Sequence, residues 1–184
     1  MFGRHQDQRT SLVRAAPRHV FSHDEAASFA HAIQQNGGKI VFTNGVFDLL
    51  HPGHIRYLQQ ARGLGDALIV AVNSDRSVRA LGKGAERPIN PHQERVEVVL
   101  ALGCVDAAVL FDEDTPHTII SRIQPDILVK GADWGADAIV GRDVVEARGG
   151  RVVRIEIVGG YSTTDIINEV RKVKQNTEAR DPLQ

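Results

Sequence analysis

The chain has 184 residues, with 22 Lys and Arg against 23 Asp and Glu and a hydrophobic fraction of 42%. That length suits one domain whose core needs neither disulfides nor metals, and the near-zero balance, net −1, argues against nucleic acid as a partner. The single cysteine, Cys104, excludes an intramolecular disulfide and fits a reducing compartment; with no apolar run of membrane-spanning length and no apolar segment behind MFGRHQDQRT, the cytoplasm is expected and a membrane partner is not.

Residues 1–17 are polar and mixed in charge and read as a flexible tail. Ser22-His-Asp-Glu25 fits a capping box opening a helix with Ala26, Phe29, Ala30 and Ile33 on its apolar face, ended by Asn36-Gly37-Gly38. Lys39 to Thr43 is a short apolar run, read as a buried strand. Asn44-Gly45 breaks it, and His51-Pro52-Gly53-His54 leads into a helix that stops near Gly63. Asp66 to Val72 is a second apolar strand, and Asn73-Ser74-Asp75 starts a short helix. Gly82 to Ile89 reads as a flexible basic loop, and Asn90-Pro91 as the cap and first residue of the next helix. Further strands are expected at 105–111, 126–130 and 151–158, with helices between them. The last helix should open at Ser162-Thr163-Thr164 and end near Lys174, leaving 175–184 as a tail and 18–174 as a single domain. The alternation predicts an α/β fold: a Rossmann-like, open, mainly parallel five-stranded sheet with helices on both faces. Ligands of such sheets sit beyond the carboxyl ends of the strands.

His51 and His54 are three residues apart at a helix start, where free N–H groups favour an anion. Two imidazoles there can donate to phosphoryl oxygens. Alternatively one histidine caps the helix and the other is an ordinary surface residue. A metal site would need a further Cys or His cluster, and none has suitable spacing. There is no GxxxxGK[ST] and no GxGxxG after the first strand, which weighs against P-loop and dehydrogenase chemistry. Ser162-Thr163-Thr164 reads either as a simple cap or as a second set of phosphate donors.

Asn44-Gly45-Val46-Phe47-Asp48 followed by His51-Pro52-Gly53-His54 resembles the HxGH signature of the cytidylyltransferase-like nucleotidyltransferases, most closely the heptose 1-phosphate adenylyltransferase branch. The resemblance runs from about Lys39 to Val170. It implies transfer of AMP from ATP to D-glycero-D-manno-heptose 1-phosphate, giving ADP-heptose and pyrophosphate for lipopolysaccharide core or another surface polysaccharide. It implies His51, His54 and Lys83 as catalytic residues. Thr43, Asn44, Gly45, Phe47, Gly131, Asp133, Ser162, Thr163 and Thr164 are implied at the nucleotide, and Asp48, Arg87 and Trp134 at the sugar phosphate; read without the resemblance, Asp48 equally well orders the HxGH loop, Lys83 and Arg87 are solvated surface charges, and Trp134 packs against the core. Arg95 matches the arginine of the family's Glu-Arg pair and is implied at the nucleotide too, where it binds phosphate or pairs with a carboxylate. Mg²⁺ is expected to be bound mainly through the triphosphate, with no protein metal site. A homodimer and a separate heptose kinase supplying the 1-phosphate are the expected partners.

Several residues depart from the family pattern: Val46 in place of a common cysteine, Ala132 and Trp134 where Gly-Gly-Asp-Tyr is usual, and Tyr161 without an arginine just upstream. They leave two rivals in view. One is a cytidylyltransferase for glycerol 3-phosphate or another polyol phosphate. The other is a non-catalytic nucleotide-binding regulatory module, against which the intact His51, His54 and Ser162-Thr163-Thr164 argue.

Overall fold

The computed structural model describes residues 19–82, 84, 86–132, 135, 139–156 and 162–178, with side chains as far as 173. Strands and helices alternate through them. The first half comprises β1 (Val20–Phe21), α1 (His23–Gln35), β2 (Ile40–Gly45), α2 (Pro52–Arg62), β3 (Ala67–Asn73), α3 (Asp75–Ala80) and α4 (His92–Ala101). The second comprises β4 (Ala107–Phe111), α5 (His117–Ile123), β5 (Ile127–Gly131), α6 (Arg142–Glu146), β6 (Arg151–Ile155) and α7 (Thr163–Glu178). The sheet order is β1-β4-β3-β2-β5-β6, and every neighbouring pair is parallel. The expected sheet of five strands therefore has six. The added strand is β1, whose two residues pair with Ala108 and Val109 at the sheet edge and are too few to show any periodicity. The tail expected over residues 1–17 lies outside the described residues, and α7 continues to Glu178, beyond its expected end.

The strands are continuous apolar runs because both sheet faces are covered. On one face Ile40, Phe42, Ile69 and Val109 pack with Ala26 and Ala30 of α1 and Ile119, Ile120 and Ile123 of α5. On the other, Val41, Leu68, Val70 and Val72 pack with Leu58 and Ala61 of α2 and Val96 and Val99 of α4. Burying each such side chain contributes about 1.5–3 kcal/mol. Ser22 and Glu25 close the expected capping box on α1 in both directions.

Aspartates placed just before three strands tie down the sheet's amino-terminal end. Asp66 accepts from Lys39 N, Asp126 from Ile40 N and Asp106 from Leu68 N, each at 2.8 Å. The opposite, carboxyl rim is left to the loops.

Candidate active site

The chain winds from β2 through β3 to β4 in one direction and then crosses back to β5 and β6 on the far side of β2. Loops leaving β2 and β5 therefore diverge, which opens a crevice at the carboxyl rim. The β2–β5 ladder is short, pairing Val41 with Ile127 and Phe42 with Leu128. Beyond it side chains take over. Thr43 Oγ1 donates to the Val129 carbonyl at 3.0 Å and meets the Tyr57 hydroxyl at 2.7 Å. Lys130 Nζ reaches across to Asn44 Oδ1.

These contacts alter what Thr43 can do. It was expected at the nucleotide, but its side chain is fully buried beneath the crevice floor and its hydroxyl is already engaged. Asn44 and Gly45 end β2, and Gly131 ends β5, on the two lips of the crevice. Lys130 was not singled out in the sequence. Its signal was a lone cation closing an otherwise apolar strand.

His51 is the N-cap of α2, in extended backbone conformation, and Pro52 follows as the first helical residue. The His51 carbonyl accepts from His54 N at 2.9 Å, so its backbone caps the helix while its side chain makes no capping bond. The His51 ring lies against His54: the two stack with centroids 3.9 Å apart and planes inclined by 24°. Phe47 completes the group, its ring edge-on to His54 at 5.5 Å. Phe47 sits at φ +49°, a left-handed conformation unusual for an aromatic residue. A Cβ on Gly45 would meet the Phe47 ring at 3.1 Å, so glycine there lets the ring fold back.

Burial pushes the His54 pKa down to about 4, helped by the neighbouring His51 and opposed by the Leu49 carbonyl. Burial lowers His51 as well. Near neutral pH both rings are therefore predominantly uncharged, each keeping one N–H to donate. Of the alternative reading, the cap is present through the His51 backbone, but the pair is not a cap beside an ordinary surface histidine, since His51 is only 7% exposed and stacked on half-buried His54.

The basic loop is held more firmly than its composition suggests. The Asp48 carboxylate is fully buried, and its Oδ1 accepts from Ile89 N at 2.8 Å and Asn90 N at 3.0 Å. Arg87 Nε approaches Asp48 Oδ2 at 2.6 Å, an ion pair oriented outside hydrogen-bond geometry. Asn90 Nδ2 donates to the Asp48 carbonyl at 2.8 Å. Asn90 thus serves this clasp, and α4 starts one residue later than expected, with Pro91 as its N-cap. Arg95 is enclosed too. It donates to the Asn90 carbonyl at 2.9 Å, the Val46 carbonyl at 2.6 Å and Asp75 Oδ1 at 2.7 Å. With no exposed side-chain surface, Arg95 joins three segments around the site and pairs with a carboxylate in place of presenting itself to phosphate. Burial raises the Asp75 pKa, but Arg95 and His92 outweigh it and hold the carboxyl below its usual range.

At the start of α7, Ser162 Oγ accepts from Thr164 N at 3.2 Å and Asp165 N at 3.4 Å, and Thr163 Oγ1 donates to the Leu49 carbonyl at 3.4 Å. Capping and attachment to the HxGH loop are thus both present. Beside Thr164 a cleft of about 220 Å³ separates α7 from the loop, lined by Arg87, Glu86, Asn168 and Arg171 among others. Among the described residues no three His, Cys, Asp or Glu side chains converge as metal ligands, and no helix is long and apolar enough to cross a membrane. Lys83, Asp133 and Trp134 lie outside the described residues.

Comparison with known proteins agrees with this geometry. The family model described as cytidylyltransferase-like matches residues 42–169. The chain is 56% identical over 144 residues to the bifunctional protein HldE of Citrifermentans bemidjiense, a match covering 77% of this chain and 29% of that protein. It is 52% identical over 148 residues to HldE of Geotalea uraniireducens, covering 80% and 30%. The chain therefore spans under a third of the length of these relatives. A crystal structure of the lipopolysaccharide core biosynthesis protein from Thermoplasma volcanium shares 34% identity and superposes with a TM-score of 0.58, over 68% of this chain and all of that one. With the family model covering most of the domain and the HxGH pair stacked at the switch point of a parallel sheet, the chain belongs to the cytidylyltransferase-like family of nucleotidyltransferases.

Proposed function

We propose that the chain transfers AMP from ATP to D-glycero-D-manno-heptose 1-phosphate, releasing pyrophosphate and forming ADP-heptose. The observation that carries the chemistry is the stacked, uncharged His51–His54 pair at the start of α2. An oxygen of the sugar phosphate attacks the α-phosphorus. The new P–O bond forms as the bond to the β-phosphate oxygen breaks, and pyrophosphate leaves with that electron pair. The attacking oxygen is already anionic, so no serine or cysteine nucleophile is needed. The imidazole N–H groups donate to the α-phosphoryl oxygens as their charge changes, and the site contributes positioning and charge stabilisation.

Asn44, Gly45, Phe47 and Gly131 shape the nucleotide side of the crevice. Ser162, Thr163 and Thr164 take the outer phosphates, and Asp48 with Arg87 borders the acceptor. Lys83, Asp133 and Trp134 keep the roles implied by the family resemblance. Mg²⁺, when bound, offsets triphosphate charge. The buried Asp48 carboxylate is committed to Arg87, Ile89 and Asn90, so the ion would be held mainly by the nucleotide oxygens and water.

Support for the heptose acceptor comes from the relatives named HldE and from the relative named for lipopolysaccharide core biosynthesis. Those HldE relatives are bifunctional, which fits a kinase step supplying the 1-phosphate. A cytoplasmic homodimer is part of the same proposal. The test is pyrophosphate release with ATP or CTP crossed against heptose 1-phosphate and glycerol 3-phosphate. Turnover is expected for ATP with the heptose. Turnover confined to CTP with glycerol 3-phosphate overturns the assignment, and none with any pair favours a non-catalytic module.

A further inference from the structure

We propose that the cleft between the 86–89 loop and α7 is a phosphoryl-binding site in which Arg171 is a ligand and Glu86 its resident counter-ion. The inference rests on the nucleotidyl-transfer reading and extends it to residues outside the HxGH and Ser-Thr-Thr motifs. The cleft, about 220 Å³, lies beside Thr164 and has two arginines in its lining, Arg87 from the loop and Arg171 from α7, together with Asn168. That volume is below the roughly 300–1,000 Å³ that encloses a drug-sized ligand. It suits one or two phosphoryl groups better than a whole nucleotide.

The two arginines are held differently. Arg87 is braced from behind by the fully buried Asp48 carboxylate, and its own side chain is only 11% exposed. A partner so buried is not readily exchanged, so Arg87 is a fixed wall of the cleft. Arg171 pairs with Glu86 across the mouth, and these side chains are 51% and 68% exposed. Exposed pairs of this kind contribute little and exchange readily. A phosphoryl group offers a guanidinium two oxygens and a higher charge than one carboxylate, so it displaces Glu86 from Arg171. The chain also lacks an arginine just before Ser162. Arg171, two turns into α7, supplies a cation to the cleft that Thr164 also lines.

The pyrophosphate end of the nucleotide and the phosphate of the acceptor share this chemistry, and the experiment separates them. Arg171→Met and Glu86→Gln are compared with wild type for KM of each substrate and for inhibition by pyrophosphate, with thermal melts alongside. Loss of a charge-assisted contact is expected to weaken binding about tenfold in Arg171→Met. Glu86→Gln should act oppositely and tighten the same ligand. If KM for the nucleotide and the pyrophosphate inhibition constant move, the leaving group occupies the cleft; if only the acceptor KM moves, the sugar phosphate does. Equal values in all three proteins, or both variants weakening binding together with a lowered melting temperature, overturn the proposal. If wild type prefers another nucleotide or acceptor, the proposed function fails but the same variants are measured on that couple. If it turns over none, calorimetric titration of wild type and variants with inorganic pyrophosphate decides the cleft alone.

Discussion

Lowering the pH should destabilise this protein through His54. In the unfolded chain its imidazole titrates near the ordinary value of 6.5, whereas in the fold it titrates at about 4. Between those values the unfolded state holds a proton that the native state does not. Stability from this group is therefore complete above pH 6.5 and is lost as the pH falls through 4. The gap corresponds to about 3 kcal/mol, of which about 2 kcal/mol disappears between pH 7 and pH 4.5. For a domain of this size that is a drop of about 4–8 °C in Tm. Other groups titrate over the same range, so the informative comparison is wild type against His54→Gln. The wild-type Tm should fall more steeply by that amount, and its folded His54 ring should show no protonation by NMR at pH 5.5. Parallel Tm curves, or a folded His54 titrating between 6 and 7, would refute the argument that burial keeps this ring neutral.

Three further outcomes follow from the contacts at the rim. Asp48→Asn should lower stability by about 3 kcal/mol, because it leaves the nearly buried Arg87 charge without a carboxylate. In a double-mutant cycle with Arg87→Met by chemical denaturation, the two losses should add to clearly more than the double variant shows; simple additivity would mean the pair is not coupled. Thr43→Val removes the bonds to Tyr57 and the Val129 carbonyl and should cost about 1–2 kcal/mol with KM for ATP unchanged, whereas a tenfold rise in that KM would put Thr43 in contact with nucleotide after all. Arg95→Met should slow turnover and speed amide exchange at Asn90, because the guanidinium organises the loop; unchanged exchange with weakened ATP binding would instead make it a direct ligand.

The parts of this fold that could be read from sequence are those specified locally. The strands from Ile40 to Gly131 are apolar on both faces and need no partner to be recognised, and Ser22 with Glu25 marks the start of α1 within four residues of chain. β1 offered two residues and owes its existence to the edge of β4. The sequence put the two histidines at a helix start, but not their stacking, which arises because His51 is an extended N-cap whose ring lies on His54. The clasp was not legible. Asp48 and Arg87 are 39 positions apart in a chain where charged loop residues normally face water, and Arg95 finds Asp75 only because two helices meet at the rim. Burial, invisible in a composition, turned apparent surface charges into the braces of the site.

The central claim is that His51 and His54 donate to the transferred phosphoryl group, and following label from α-³²P-ATP into heptose 1-phosphate tests it most directly. Wild type, His51→Ala and His54→Ala are compared under saturating substrates in metal-free buffer resupplied with Mg²⁺, with melts confirming that each is folded. The account predicts labelled ADP-heptose from wild type, and turnover lower by about 10²–10³ in each folded variant with much of the ATP affinity retained. Near-wild-type transfer in both folded variants would contradict it.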